Sequence, residues 1–354
     1  MAEIAGKCRK FAGKVKLRFA AAIFAGMNES FRTLISMQES LALISHAHPV
    51  LLMGSCFTEH IGQRLLDRKF DTLVNPYGIV YNPVSLADNL NCLMDGHRAP
   101  ASAELFEHQG LWHSWNHHGK FSGPDHLQTL SGMQQAYQNA AGFVRKAEVL
   151  MLTFGTAEVS VHIPSGRIVA NNHKMPSNLF EYRRLTVNEI VEAWIPLLQQ
   201  WAEKKVILTV SPVRHLRSGL IENQRSKAVL LLACAEICQQ LPFVSYFPSY
   251  ELLMDDLRDY RFYEADMLHP TKVAVDYIWN HFSDTCLEAL SRHLGEQILK
   301  IKAAMNHRPF HANTPEHQAF LAAQLHKVKA LQEKYPALDW SMEVAYFSQV
   351  AMEH

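Results

Sequence analysis

Two nucleophilic side chains stand side by side in "PVLLMGSCFTEHIG", residues 49–62. The Ser55 hydroxyl and the Cys56 thiol follow Gly54, where an apolar run stops. Either nucleophile needs a base, and the base needs a group that orients it. "DMLHP" near the other end of the chain supplies both, because Asp266 and His269 are three residues apart. A carboxylate at that spacing can hold one imidazole nitrogen, set the tautomer and leave the other nitrogen facing the site. Pro270 then suits the first turn of a following helix. The chemistry is nucleophilic catalysis, provided the fold brings these two segments together.

The elements that must do so read as alternating buried strands and helices. Apolar runs end at residues 54, 155 and 210, and a fourth begins near 243. Helical spacing marks Phe57, Ile61, Leu65 and Leu66, and further helices are expected over 84–94, 131–146, 187–203 and 223–240, with another from Pro270 or Thr271. "AEVSVHI" and "GRIVA", joined by Pro-Ser-Gly, read as a hairpin. Residues 95–126 show no clear period and read as an insertion over the body of the fold. The pattern predicts a three-layer α/β/α domain with a mainly parallel sheet, and such sheets bind ligands beyond the carboxyl ends of their strands.

Composition narrows the classes. Lys+Arg and Asp+Glu are both 34, so neither a basic field for nucleic acid nor a polybasic tract for a membrane surface exists. No window of 18 apolar residues marks a membrane span. The six cysteines (Cys8, Cys56, Cys92, Cys234, Cys238 and Cys286) include no CxxC pair, which points to a reducing compartment and a cytoplasmic location. Residues 1–26 are basic and acid-poor, so an exported chain is the alternative. Residues 1–36 read as a loosely ordered extension, 37–290 as the α/β domain, and 291–354 as a helical C-terminal extension. His113, His117 and His118 form no HExxH motif and have no accompanying cysteines, so no metal and no cofactor is expected.

"GSCFTEHIG", "FGTAEV", "SPVRH" and "DMLHP", in that order, resemble the GSCFA family, which is grouped with the SGNH (GDSL-like) hydrolases. The resemblance spans roughly residues 45–290. It implies an acyl-ester hydrolase or acyltransferase working through an acyl-enzyme, on an acylated carbohydrate or another small ester. SGNH enzymes read Gly-Asp-Ser at the first motif. Laid on without a gap, Cys56 takes the nucleophile's place, and a one-residue shift gives it to Ser55. A thiol at a helix N-terminus beside an imidazole is expected to have a lowered pKa, which favours Cys56. Gly78 in "NPYGI" matches the oxyanion-hole glycine, but Ala157 stands where the family pattern places a donating asparagine. Asn171 and Asn172 in "ANNHKMP" are replacement donors or plain turn residues, and His173, His215 and His118 are substrate-binding or structural histidines. Two other readings stay open. "GSCF" also looks like the "GSCW" of papain-like proteases, and Ala157 is compatible with a non-catalytic acyl-glycan-binding module.

Overall fold

The computed structural model describes residues 33–37, 44–308 and 314–352. The expected loose ordering or targeting role of the N-terminal segment falls largely on residues 1–32, outside the described residues. Ile35 and Met37, just after them, pack against one of the apolar cores.

The sheet is built from β1 (Val50–Gly54), β2 (Thr72–Val74), β5 (Val149–Phe154), β9 (Lys205–Val210) and β10 (Val244–Tyr246). All neighbouring pairs are parallel, and the spatial order is β10-β9-β5-β1-β2. Every residue of β1 and β5 is buried, as a parallel strand covered on both faces must be. Side chains alternate between the faces. Leu51, Met53, Leu150, Leu152 and Leu208 meet α2 (Pro83–Asp95), α3 (His126–Lys146), α4 (Val187–Gln199) and α5 (Leu220–Gln240). Val50, Leu52, Val149, Met151 and Ile207 meet α1 (Cys56–Asp67) and α6 (Lys272–Cys286). The expected three-layer α/β architecture is therefore present.

Counting only the sheet strands in chain order, their spatial order is 2-1-3-4-5, the flavodoxin-like arrangement. Its switch point lies between β1 and β5, where successive connections leave in opposite directions. Residues 54–56 follow the carboxyl end of β1 at this switch point, the edge at which such sheets bind ligands. The strands join tightly there: Gly54 pairs with Thr153, and the Ser55 N–H donates to the Thr153 carbonyl at 3.1 Å. Gly54 has a φ of +142°, and a Cβ at this position would lie 2.2 Å from the Thr153 carbonyl oxygen. Gly54→Ala is thus expected to cost roughly 3 kcal/mol or more, through strain and a backbone clash together. Urea denaturation of the variant checks this, and an unchanged midpoint would contradict it.

Three features go beyond the sequence pattern. Residues 72–74, within an unassigned stretch, form the edge strand β2. The insertion contains an antiparallel hairpin of β3 (Leu105–His108) and β4 (Leu111–Ser114). The expected hairpin of β6 (Glu158–His162) and β7 (Arg167–Val169) gains a third strand, β8 (Phe180–Arg184), paired along β6.

The C-terminal helices α7 (Ala289–Met305), α8 (Pro315–Lys334) and α9 (Ser341–Met352) enclose a separate core around Leu294, Ile298, Leu321, Val328, Trp340 and Phe347. They meet the α/β domain at the end of α1. Arg68 caps α1, pairs with Glu296 of α7 at 3.3 Å and lies 4.6 Å over the Trp279 ring of α6. Lys69 reaches the buried carboxylate of Glu343 in α9 at 3.0 Å.

Candidate active site

The two candidate nucleophiles have different surroundings. Ser55 is fully buried and serves as the N-cap of α1, its Oγ accepting from the Phe57 N–H at 3.3 Å. That is the ordinary work of a serine at a helix start. Cys56, the first helical residue, is partly exposed. Burial is the largest influence on its thiol and pushes the pKa up, with Glu59 adding to the rise. The backbone N–H groups of Cys56 and Phe57 and the charge of Lys227 pull the other way. The lowered thiol pKa expected from the sequence is therefore not found in this state. Desolvation outweighs the helix terminus, so Cys56 rests as a protonated thiol and needs a base.

Asp266 and His269 are hydrogen-bonded to each other, as their spacing predicts. Asp266 Oδ2 accepts from the His269 Nδ1–H at 2.7 Å, and Oδ1 accepts from the backbone N–H groups of Leu268 and His269 at 2.8 and 3.0 Å. The hydrogen bond to the His269 ring is the main reason the Asp266 carboxyl is held down at about 2, and the two backbone donors add to it. The turn places Met267 at φ +57°, then Thr271 caps α6. Arg214 clamps this loop, donating its backbone N–H to the Leu268 carbonyl and its guanidinium to the Met267 carbonyl. The carboxylate fixes Nδ1 as the protonated nitrogen, which leaves Nε2 as the acceptor. His269 stands in electrostatic reach of His60, one turn along α1 from Cys56, and of His215. Its Nε2 and the Cys56 Sγ are not hydrogen-bonded to each other, an open arrangement common in ligand-free sites.

The groups expected as oxyanion donors are engaged elsewhere. Gly78 sits beside the site with φ +77°, pressed against the His118 Cβ, but its N–H donates to the Asn75 carbonyl at 2.7 Å. Turn formation thus consumes the donor assigned to Gly78. Ala157 is fully buried, and its N–H donates to Ser226 Oγ at 2.7 Å. Asn75, which carried no role in the sequence reading, is almost fully buried and accepts the Gly54 N–H through Oδ1 at 2.8 Å. That bond fixes the amide orientation and leaves Nδ2 as a buried donor without an acceptor beside the turn at residues 54–56.

A cleft of about 490 Å³ adjoins this edge of the sheet. It is lined by Tyr81, His118, Asn171, Asn172, Tyr182 and His215, among others, so four of the predicted binding residues converge there. Asn171 and Asn172 also do the turn work foreseen for them, accepting the N–H groups of His173 and Lys174. Burial holds the His215 imidazole at about 3, with the charges of Lys227 and His269 adding to the effect. Its Nε2 is buried and unpartnered. Tyr81 and His215, whose rings lie 4.9 Å apart, link the cleft to Cys56 and His269 through the charges they feel. His173 is elsewhere: its Nε2 meets the Ser114 carbonyl at 2.8 Å, and burial holds the ring at about 4. It braces the insertion and does not line the cleft. His117 is buried against Ser114 Oγ in the same insertion.

Residues 49–282 match the model of the GSCFA family, and residues 298–351 match that of the GSCFA domain protein, C-terminal domain. No curated protein matches the chain. No described helix is long and apolar enough to cross a membrane.

Proposed function

The chain belongs to the GSCFA family, and from that premise we propose that it is an SGNH-like acyl-ester hydrolase or acyltransferase with Cys56 as nucleophile, His269 as base and Asp266 as orienter. The observation that carries this reading is the Asp266–His269 hydrogen bond on the same sheet edge as the partly exposed thiol. The burial and capping work of Ser55 support the choice of Cys56.

The thiol proton passes to His269 Nε2, and Sγ attacks the ester carbonyl carbon. Negative charge develops on the carbonyl oxygen. Nearby are the Cys56 N–H, at the first turn of α1 where helix donors lack helical acceptors, and the spare Asn75 amide. Collapse expels the alcohol, which takes the proton from His269 and leaves a thioester on Cys56. Water or an acceptor hydroxyl, deprotonated by His269, then removes the acyl group. The cleft combines the amides of Asn171 and Asn172 and the charges of Glu158 and Arg217 with the rings of Tyr81 and Tyr182. Such a lining suits a polyhydroxylated, carbohydrate-like ester partner. The papain-like alternative would draw its histidine from "SWNHHG" or "ANNHKMP", and there His117 and His173 are both hydrogen-bonded to Ser114.

Incubation with p-nitrophenyl acetate, followed by peptide mass spectrometry, tests the proposal. An acetyl group on Cys56, lost in the His269→Ala variant, is the expected result. Acetylation of neither Cys56 nor Ser55 would overturn it in favour of a non-catalytic binding module.

A further inference from the structure

Lys227 lies in α5, in a helical stretch where a lysine ordinarily reaches solvent. Here it is fully buried, and its Nζ donates to the carbonyls of Gly155 and Ser211 at 2.6 and 2.7 Å. These two carbonyls follow β5 and β9 on the carboxyl edge of the sheet. Among the described residues, no carboxylate lies within ion-pair distance of it. Two carbonyl oxygens could be satisfied by a neutral amide, whereas an ammonium without a counter-ion carries a large desolvation cost. Gly155 lies two residues beyond Thr153, which pairs with Gly54 and accepts the Ser55 N–H, so the ammonium is held at the end of the strand neighbouring the one that leads into Cys56. Cys56 from α1, His215 from the loop after β9 and the Tyr250 ring at 5.7 Å face it. Cys56 in turn feels Lys227, Glu59 on its own helix and Tyr81 from the loop after β2. Of the neighbours of Lys227, Cys56 is the one whose ionisation the mechanism requires.

We propose that Lys227 is a positioning residue for the nucleophile: a buried cation, fixed at two strand-end carbonyls, that becomes the counter-ion of the Cys56 thiolate. The inference rests on the reading of Cys56 as nucleophile. When the thiol proton leaves for His269, the negative charge on sulfur meets a positive charge already in place, and Lys227 keeps all its protons. Burial draws the lysine down to about 7 although the charge of Cys56 works against that fall, so the ammonium is the main form below that pH and the two ionisations support each other. The same helix locks the adjoining loop through Ser226, which receives the Ala157 N–H and meets Thr156 Oγ1. The ammonium therefore sits on a rigid mount.

The test compares the pH dependence of Cys56 carbamidomethylation by iodoacetamide, followed by peptide mass spectrometry, in wild type and Lys227→Gln. Glutamine keeps two N–H donors for the two carbonyls and removes the charge. The expected result is a Cys56 rate at pH ~6, where the lysine is charged, lowered by about tenfold or more, with Cys92 unaffected. A folded variant with an unchanged Cys56 profile would overturn the proposal. Should the variant not fold, lysine side-chain NMR titration of wild type and Cys56→Ala decides. The buried lysine should titrate at lower pH once the thiol is gone, and identical midpoints would refute the pairing. Neither measurement uses a substrate, so failure to form an acyl-enzyme and failure of this pairing are separate outcomes.

Discussion

Cys56→Ala should abolish ester turnover, with a loss on the order of 10³-fold or more, whereas Ser55→Ala should retain the chemistry. The two neighbours differ because the fold uses them differently. Ser55 Oγ is spent on the helix cap, so its removal should cost about 1 kcal/mol of stability and slow the enzyme only through a looser turn. Cys56 contributes a partly exposed thiol. Cys56→Ser keeps a nucleophile in place but raises its pKa by several units, and a loss of about 10²-fold or more is expected. Burial raises the thiol pKa, so the neutral form dominates through neutral pH. Iodoacetamide inactivation should then climb with pH through and beyond the ordinary thiol range of roughly 8.5. Full activity in Cys56→Ala, with none in Ser55→Ala, would transfer the role to the hydroxyl.

Asp266→Asn should lower kcat by roughly 10²- to 10⁴-fold while leaving KM nearly unchanged. The neutral amide no longer enforces Nδ1 protonation, so Nε2 is no longer reliably the acceptor. The pH dependence follows from the depressed carboxyl. Asp266 is held at about 2, below its ordinary value, so its contribution is complete above the unfolded carboxylate range and is lost only as pH falls towards 2. An acid limb in the rate profile above pH ~4 must therefore come from a group other than Asp266. A stopped-flow acylation profile measures this. Retention of wild-type kcat in Asp266→Asn would remove the carboxylate from the mechanism.

The three long strand runs β1, β5 and β9 were legible because a parallel strand covered on both faces must be apolar along its length. "DMLHP" was legible because the orienting contact is local, three residues long. β2 escaped because it is only three residues long and partly exposed. β3 and β4 escaped because their histidines and aromatics pack within the insertion and not on the main sheet, so they leave no alternating pattern. Asn75 and Lys227 were illegible for another reason. An Asn before a proline reads as turn chemistry, and a Lys in a helix reads as solvent-facing. What makes each unusual is a partner far away in sequence, Gly54 for one and Gly155 and Ser211 for the other. The thiol pKa failed on the same ground, since the helix terminus is visible in sequence and the degree of burial is not.

Helix α1 has Cys56 at its first position and, immediately beyond its last, the two basic side chains that grip the C-terminal bundle. Twelve residues of helix make a rod of about 18 Å. The bundle also accommodates the end of this rod through Gly295, where a Cβ would come within 2.9 Å of the Arg68 side chain. The C-terminal module is thus not a detachable passenger. Cutting the chain near residue 290 would strip Arg68 and Lys69 of Glu296 and Glu343 and loosen the far end of the lever that carries the thiol. Chimaeras that exchange the module between relatives should preserve a small residue at 295 and an acid at 343, because those two positions hold the rod's distal bearing.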